Sequence, residues 1–302
     1  MKGTVMRSTG SWYDVRGEDG NDYECRIRGK IRLEGIKETN PVAVGDHVEF
    51  DEGEKVITDI LPRDNHILRA SVKKTGHSNV LAANVDQVMI IATLALPRTS
   101  LGFIDRVSVS AEAFRIPQII LFNKADMLDD DGREKLSEAM EIYTSIGIKC
   151  LSLSALHDDI TPVTLLLQGK VTLLTGHSGV GKSTLLNRIA PEVKQKTGEV
   201  SSFLQKGVHT TTFAEMFEVS PGTFIIDTPG IREWGLVDMT EEELSDYFPE
   251  MRERRLDCRF GPRCIHIHEP GCAIRAAVQA GEIAPSRYES YVSMVRGEDS
   301  RK

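Results

Sequence analysis

A glycine-rich stretch in the middle of the chain has the residue types and spacing of a phosphate-binding loop. Residues 176–183 read GHSGVGKS and fit the pattern G-x-x-x-x-G-K-[ST]. Glycines let consecutive backbone N–H groups turn inward around a phosphate, and the N-terminus of a following helix adds partial positive charge. Lys182 can reach the β- and γ-phosphate oxygens, and the Ser183 hydroxyl can ligate Mg2+. The stretch predicts binding of a nucleoside triphosphate but not the identity of its base.

The flanking residues supply the elements that such a loop needs. Residues 171–175 are a short apolar and β-branched run, typical of a buried parallel strand, and residues 184–189 can begin a helix. A chance glycine loop would need neither flank, so the phosphate-loop interpretation is preferred. Lys182 is also assigned a catalytic role. The residues expected to contact the nucleotide here are Gly176, His177, Ser178, Gly179, Val180, Gly181, Lys182, Ser183 and Thr184.

A second chemical motif follows a core strand predicted at residues 118–122. It reads Asn123-Lys124-Ala125-Asp126 and fits N-K-x-D, the guanine-specificity motif of GTPases. An aspartate carboxylate can accept two hydrogen bonds from the ring N–H and exocyclic amine of guanine, whereas adenine offers no matching donors. By resemblance, Asn123 ties loops together and the stem of Lys124 lies along the base. Four residues alone are a weak signal, but their position at the end of a core strand strengthens it.

Ser154 and Ala155 resemble a further GTPase element, one helix and one strand after the base motif. In that resemblance the backbone N–H of Ala155 bonds the guanine carbonyl, and Ser154 braces the loop. Because a Ser-Ala pair is common, only its position supports the prediction.

Two later segments resemble the switches of GTPases. The first ends in three threonines, of which Thr211 is the first choice as a ligand of Mg2+ and sensor of the γ-phosphate, with Thr210 and Thr212 as alternatives. A polar turn entering a strand explains three threonines less well. In the second segment, D-T-P-G, Asp227 would hold the Mg2+ shell and the Gly230 N–H would meet the γ-phosphate. Loss of that phosphate would release both segments.

The position after the second switch motif lacks the glutamine that orients water in Ras-like enzymes. Ile231 stands there and cannot do this, so we expect slow intrinsic hydrolysis unless another group serves. His209 in the first switch is the catalytic candidate. A loop histidine without a catalytic role, and a group supplied by a partner, remain as alternatives.

The order of the motifs is unusual. Most GTPases run from the phosphate loop through the switches to the base motif, whereas here the base motif comes first and the switches come last. The order predicts a circularly permuted α/β domain, which can fold if its usual termini are joined and the chain opens elsewhere. Residues 161–170 would form the new joint, and the segment after Asp227 would lead directly into the C-terminal region.

Three cysteines and a histidine cluster near the C-terminus. Cys258, Cys264, His266 and Cys272 offer three thiolates and one imidazole, which suit a tetrahedral and therefore structural Zn2+. Free thiols in a core would explain their clustering less well. His268 is a competing ligand. The remaining cysteines, Cys25 and Cys150, lie in apolar or strand-like surroundings and are expected to be small buried residues.

Short strands with turns fill the N-terminal part of the chain. We predict strands near residues 3–7, 11–15, 23–28, 46–50 and 55–61, which suggest a small β-barrel with the oligonucleotide-binding (OB) fold as leading candidate. Residues 69–79 are polar and predict a linker.

Two basic stretches could contact RNA. Alternation along residues 26–32 would place four cations on one strand face, and a second group surrounds the first cysteines. Solvated surfaces are the competing interpretation of both. The residues are Arg26, Arg28, Lys30 and Arg32 in the first stretch, and Arg252, Arg254, Arg255, Arg259 and Arg263 in the second.

The composition is that of an ordinary multidomain globular protein. The 302 residues are 40% hydrophobic and 27% charged, and the net charge of −8 argues against a wholesale nucleic-acid coat but allows basic patches. The sequence has no apolar run near the roughly 18 residues of a membrane span and no N-terminal signal-peptide pattern, which favours a cytosolic protein.

The motifs in this order resemble the RsgA family (also called YjeQ or YloQ), bacterial GTPases that depend on the small ribosomal subunit. The resemblance runs almost end to end and includes the Cys3His pattern, with one departure at Cys258, where the first cysteine gap is five residues and about four is expected. It implies an OB barrel over residues 1–69, a permuted GTPase domain over 70–237 and a mostly helical zinc domain over 238–302.

The resemblance also implies an activity and partners. It implies hydrolysis of GTP to GDP during late maturation of the small subunit, stimulated by that subunit and coupled to release of the factor. GTP or GDP, Mg2+ and one structural Zn2+ would be bound, with the subunit and its rRNA as partners, no membrane, and a monomeric cytoplasmic protein. A nucleotide kinase, a metal-insertion GTPase and a purely structural RNA-binding protein are the competing classes. A kinase would need lid arginines, which we cannot place.

Overall fold

The N-terminal strands close into a small barrel. The computed structural model describes residues 1–27, 41–70, 78–191, 214–228 and 239–298. The barrel strands are β1 (Lys2–Ser8), β2 (Tyr13–Gly17), β3 (Asp22–Ile27), β4 (His47–Asp51) and β5 (Val56–Ile60). They lie in the order β1-β2-β3-β5-β4, and β1 also pairs with β4, which closes the ring. Alternate side chains point into an apolar core that includes Cys25, so the predicted barrel is confirmed.

A β-hairpin occupies much of the segment between the barrel and the central sheet. Its strands are β6 (His66–Ala70) and β7 (Ser78–Ala83). The linker predicted over residues 69–79 is therefore wrong at both ends. The apolar residues that anchor the hairpin, Ile67 and Ala82, are fully buried but lie outside the polar stretch that suggested a linker.

Six further strands form the central sheet. They lie in the order β10-β9-β8-β11-β13-β12, and every neighbouring pair is parallel except β12 with β13. β8 is buried along its whole length, as expected for a parallel strand covered on both faces. The strands are β8 (Gln87–Ala92), β9 (Gln118–Asn123), β10 (Lys149–Leu153), β11 (Val171–Thr175), β12 (Glu215–Ser220) and β13 (Thr223–Asp227).

Helices cover both faces of this sheet. Alternate residues of β8 contribute to two separate apolar cores, one shared with α1 and α2 and the other with α3 and α4. The described helices are α1 (Leu101–Ala113), α2 (Asp130–Ser145), α3 (Thr161–Leu167) and α4 (Lys182–Ile189). The face of α1 that the periodicity predicts, through Phe103, Val107 and Ala111, is buried.

The barrel is joined both to the central sheet and to the segment that leads into the hairpin. β1 pairs with β12 in antiparallel fashion, with Arg7 opposite Glu215, so the hydrogen-bonded sheet continues into the barrel. Asp46 and Arg63 form a buried two-point ion pair, with N–O distances of 2.6 and 2.8 Å, between the barrel and the start of the hairpin.

The C-terminal region is mostly helical, as predicted. Its helices are α5 (Pro249–Arg252), α6 (Ala273–Gln279) and α7 (Pro285–Val295), with 3-10 turns between them. Thr240 and Glu243 exchange hydrogen bonds in the manner of a capping box, and the 3-10 turn Leu244–Tyr247 follows them. Across the described ranges, no helix is long and apolar enough to cross a membrane.

Candidate functional site

The loops that carry the predicted motifs meet at one edge of the central sheet. β9, β10, β11 and β13 are parallel, so their carboxyl ends point the same way. Leu153 lies opposite Asn123, and Leu174 lies opposite Asp227. The base motif, the Ser-Ala pair, the phosphate loop and the second switch motif therefore begin side by side, at the place where open α/β sheets bind ligands.

The phosphate loop needs its glycines for steric reasons that the neighbouring strands set. At Gly176, with φ of 150°, a Cβ would lie 2.3 Å from the carbonyl oxygen of Ile91 on β8. At Gly181, with φ of 101°, a Cβ would lie 2.2 Å from Nδ2 of Asn123. The loop is thus pressed against the central strand and the base motif, and only glycine allows both approaches.

Lys182 lies over the loop from which it arises. Its Nζ donates to the carbonyl oxygens of Gly176 and, at 3.0 Å, of His177. Burial lowers the pKa of Lys182, while the nearby Asp227 carboxylate opposes this shift. The ammonium is held where a phosphate group on the loop could reach it.

The surroundings of Asp227 suit a residue that binds a cation. Burial raises its pKa to about 6, and the charge of Lys182 counteracts that rise. Its Oδ1 is buried and has no hydrogen-bond partner among the described residues. An orphaned carboxylate oxygen beside a phosphate loop fits the hard oxygen ligands that Mg2+ prefers. Bound there with Ser183, Mg2+ would neutralise phosphate charge.

Asn123 joins the two halves of the candidate site. Its Nδ2 donates to the carbonyl oxygen of Val180 in the phosphate loop at 2.7 Å, and its Oδ1 accepts from the Ala155 N–H at 2.7 Å. The side chain is buried, so both contacts are shielded from water. The geometry agrees with the loop-tying role that GTPase resemblance implies.

The other residues of the base motif lie at the surface of the site. Lys124 adopts a left-handed backbone, with φ of 63°, and its Nζ donates to Leu96 O at 3.0 Å. Asp126 Oδ2 lies 3.9 Å from Nε2 of His157. Ala125 begins the short 3-10 turn that follows.

The contact predicted for Ala155 differs from what the structure contains. We expect its N–H to bond the guanine carbonyl, but this N–H already donates to Asn123. Ser154 is buried and braces the turn through its backbone, which accepts from Asp158 N at 2.9 Å and donates to the Asp158 carboxylate at 2.7 Å. A single N–H cannot serve both acceptors at full strength, so the guanine contact of Ala155 stays a prediction.

Apart from Asp227, the predicted switch residues lie outside the residues that the structure describes. His209, Thr210, Thr211 and Thr212 lie outside the described residues, as do Gly230 and Ile231. Their roles stay predictions.

The three cysteines and His266 come together in the C-terminal region. Their ligand atoms all lie within 4.8 Å of one another, and all four residues are buried. His266 Nδ1 is 3.5 Å from Cys258 Sγ and 3.4 Å from Cys272 Sγ, and those two sulfurs are 3.9 Å apart. In a tetrahedral zinc site, sulfurs lie roughly 3.8 Å apart and sulfur and nitrogen roughly 3.5 Å apart. The four residues fit such an ion.

Burial also makes the cluster depend on a cation. It raises the pKa of Cys264 to about 12 and lowers that of His266 to about 4, so neither group would carry charge unaided. A divalent ion stabilises the thiolate form that binds it. Backbone N–H groups of Ala273 and Arg275 donate to the sulfurs of Cys258 and Cys272 at 3.3 and 3.5 Å, which also favours thiolates.

A second layer of contacts holds the histidine ligand in place. Tyr288 and Tyr291 donate to the carbonyl oxygens of His266 and Ile265 at 2.7 and 2.9 Å. The Glu269 carboxylate accepts from three backbone N–H groups, of Ile265, Ile267 and His268. Burial works against the charge of Glu269, but these bonds outweigh it and lower its pKa.

The basic stretch beside the cysteines is only partly free for RNA. Arg252 and Arg254 pair with Glu112 and Glu282 at 2.8 and 2.5 Å, and Arg255 pairs with Asp246. Arg259 and Arg263 are exposed, and within the described ranges neither pairs with a carboxylate. Sequence reasoning missed these pairings because the acids lie up to 140 residues away.

The basic stretch of the barrel is described only at its first residue. Arg26 places its guanidinium carbon 3.8 Å from the centre of the Trp12 ring. Arg28, Lys30 and Arg32 lie outside the described residues.

A base motif upstream of a phosphate loop on one parallel sheet, joined to a barrel and a Cys3His cluster, defines a circularly permuted GTPase with a metal-binding domain. The family model described as RsgA GTPase matches residues 60–237, and the RsgA N-terminal domain model matches residues 2–56. The chain belongs to the RsgA GTPase family and is a GTP hydrolase.

The similar proteins match this chain over almost their whole length. The chain is 48% identical over 306 residues to "Small ribosomal subunit biogenesis GTPase RsgA 2" of Bacteroides thetaiotaomicron, covering 100% of this chain and 98% of the relative. It is 49% identical over 306 residues to the RsgA of Phocaeicola vulgatus, with the same coverage. The crystal structure of YjeQ from Thermotoga maritima matches with a TM-score of 0.75 and 34% identity, covering 100% of this chain and 99% of that one.

A second solved structure carries the same architecture. YloQ, described as a circularly permuted GTPase, matches with a TM-score of 0.72 and 29% identity, covering 100% of this chain and 96% of that chain. The permuted order expected from the motifs is thus confirmed.

Proposed function

We propose that this protein binds the small ribosomal subunit and hydrolyses GTP to GDP and phosphate during late maturation of that subunit. Turnover is stimulated by the subunit and accompanies release of the protein. It acts in the cytoplasm as a monomer and contacts rRNA through its two terminal modules. The relatives named for small-subunit biogenesis, at 48% and 49% identity over the full chain, support this role.

One observation carries the nucleotide part of this proposal. Asn123 bonds the phosphate loop with one side-chain atom and the loop after β10 with the other, each at 2.7 Å. A phosphate site and a base site are thereby held at a fixed separation, as recognition of a whole nucleotide requires. Asp126, at the exposed end of the same motif, is assigned to the guanine N–H groups.

We also propose roles for the residues that bind phosphate and metal ions. Lys182 binds the terminal phosphates. Ser183 and Thr211 are ligands of Mg2+, and Asp227 holds the coordination shell of that ion. The metal at Cys258, Cys264, His266 and Cys272 is one structural Zn2+, because the ligand set is closed and soft. We place the domain limits after residues 69 and 237.

The decisive experiment measures GTP turnover against added ribosomal subunits. We expect purified small subunits to raise the rate by about tenfold or more, which is about 1.4 kcal/mol of barrier, and large subunits to have little effect. ATP should not replace GTP. An unchanged rate at saturating small subunits would contradict the ribosomal role but not the GTP hydrolase activity.

His209 is proposed as the group that takes the place of the missing glutamine. A His209→Ala variant should keep GTP affinity and lose most of the stimulated turnover, because the residue would act on the attacking water and not on binding. Unchanged stimulated turnover would show that the partner or another residue supplies the group. Thr210→Ala and Thr212→Ala are useful neighbours for comparison.

A further inference from the structure

Arg188 connects the helix of the phosphate loop to the loop that follows β10. It lies in the last turn of α4, and its Nη1 donates to the backbone oxygens of Ala155 and Asp158, at 3.1 and 2.6 Å. The two hydrogens of one guanidinium nitrogen can serve the two carbonyls separately. Arg188 belongs to no nucleotide-binding motif.

The loop is held from a second side by the base motif. The N–H of Ala155 donates to Asn123 Oδ1 at 2.7 Å, and Nε2 of His157 lies 3.9 Å from the Asp126 carboxylate. The loop therefore lies between Arg188 on one side and the base motif on the other. The carbonyl groups of Ala155 and Asp158 point towards Arg188 of α4.

Because the peptide group is planar, this arrangement also fixes the direction of the N–H group that follows Ala155. In a trans peptide, the carbonyl oxygen of one residue and the N–H of the next point in nearly opposite directions. Arg188 binds the oxygen of Ala155, so the N–H of Leu156 is directed away from α4. This N–H has no acceptor within the part of the chain that the structure describes. Leu156 is 65% exposed, so the loop leaves this residue open to a ligand from solvent.

We propose that Arg188 is a positioning residue that directs the Leu156 N–H at the carbonyl oxygen of guanine and so contributes to base specificity. The inference rests on the guanine site proposed above and replaces Ala155 by Leu156 as the donor to the carbonyl, because the Ala155 N–H already donates to Asn123. Arg188 itself does not touch the base. It links base recognition to the helix that begins at the phosphate loop.

A plainer role for Arg188 makes a different prediction. A cation in the last turn of a helix stabilises that helix through its dipole. Loss of such a contact would weaken binding of every nucleotide by a similar factor, because all of them use the phosphate loop. If Arg188 positions the Leu156 N–H, the loss of nucleotide affinity should instead depend on one atom of the base, the guanine carbonyl oxygen.

Nucleotide analogues separate these two roles. Dissociation constants would be measured for GTP, ITP, 6-thio-GTP and ATP on the full chain, with Arg188→Ala and Arg188→Lys compared with the parent. ITP lacks the exocyclic amine that Asp126 would bind, and 6-thio-GTP replaces the carbonyl oxygen by sulfur, a weak acceptor. Arg133→Ala is the matched control, because Arg133 is an exposed cation on α2 paired with Asp130 at 3.1 Å.

The expected result is a selective loss. Arg188→Ala should weaken GTP about tenfold, weaken 6-thio-GTP much less and leave the GTP-to-ITP preference at its parent value. Arg188→Lys should fall between the parent and Arg188→Ala, since an ammonium can serve only part of the two-carbonyl site. Arg133→Ala should match the parent. Thermal midpoints of the nucleotide-free variants would report any loss of folding.

Two results would overturn the inference. Equal losses for GTP and 6-thio-GTP in both Arg188 variants would assign the residue to helix stability alone, and unchanged GTP affinity would assign it no role in binding. The parent protein provides a separate check on the underlying site. If the parent binds GTP no better than ATP, the proposed guanine site is wrong together with this inference.

Discussion

Arg287 in α7 and Asp105 in α1 form an ion pair of 2.5 Å between two side chains that are almost completely buried. Glu250 of α5 accepts two further bonds from the same guanidinium, at 2.7 and 3.2 Å. Tyr143 of α2 donates to Asp105 at 2.8 Å. Charges this deep are tolerated only when they are paired and hydrogen-bonded, so the cluster fixes how the C-terminal region docks on α1.

Helix α1 also reaches the nucleotide site. The ring of Phe103 lies against His177 of the phosphate loop, with centroids 3.9 Å apart. At the other end of α1, Glu112 pairs with Arg252 of α5 on the surface. α1 therefore contacts both the phosphate loop and the C-terminal region.

Breaking the buried pair should destabilise the protein strongly. Arg287→Met leaves Asp105 and Glu250 buried without their cation, which costs about 3–5 kcal/mol in comparable cases. Arg252→Ala removes an exposed pair in the same interface and should cost about 1 kcal/mol or less. Urea unfolding of both variants checks the prediction. Similar small losses for the two variants would show that the buried pair does not hold the interface.

Gly181→Ala should greatly weaken GTP binding through a single steric clash. The new Cβ would lie 2.2 Å from Asn123 Nδ2, so the bridge between phosphate loop and base motif must move. Gly147→Ala is the matched control, because Gly147 also has positive φ, 85°, but a Cβ there meets nothing within 4 Å. Both variants incur the left-handed backbone cost of roughly 1–2 kcal/mol. Only Gly181→Ala should lose GTP affinity, by about 100-fold or more, in an equilibrium binding assay; equal affinities would contradict the clash.

The motifs that depend on local spacing were predictable from sequence, and contacts between distant residues were not. The phosphate loop and the base motif are defined within eight and four neighbouring residues, and a permuted order leaves such local patterns intact. The Cys3His ligands are likewise close in sequence, and the structure brings them together. The barrel was predictable because its strands alternate apolar and polar residues.

Arg287 shows why the rest escaped prediction. Its partner Asp105 lies 182 residues away, and a polar residue at a helical position usually indicates a solvated face. Arg188 is a similar case, since its acceptors are backbone oxygens, which every residue has. Short polar segments misled in another way, because residues 69–79 looked like a linker although buried Ile67 and Ala82 lie just outside them.

The metal cluster should distinguish between two nearby histidines. His266 is buried with Nδ1 within 3.5 Å of two cysteine sulfurs, whereas His268 is exposed. His266→Ala should lose most of the bound metal and lower the stability of the C-terminal region, because a structural zinc site contributes folding energy directly. His268→Ala should keep one metal ion per chain. Elemental analysis of both purified variants decides this, and metal loss in the His268 variant would exchange the two assignments.

Glu215 should make the junction between barrel and central sheet sensitive to pH. It lies in β12 opposite Arg7 of β1. Burial raises its pKa, Arg7 opposes the rise, and Asp14 adds to it. Because the folded protein binds this proton more tightly than the unfolded chain, the stabilising contribution is fully present below the unfolded-state pKa and is lost as pH rises through the folded-state pKa.

Glu215→Gln removes the charge at every pH and should reveal this cost. Compared with the parent, the variant should gain more stability at about pH 7.5, where the parent carries a half-buried carboxylate, than at about pH 4.5. Urea unfolding at the two pH values measures the difference. Because the amide keeps the size of the carboxyl group, packing between β1 and β12 should change little. A gain that is equal at both pH values, or larger in acid, would mean that the Arg7 charge outweighs burial and that the junction favours the ionised glutamate.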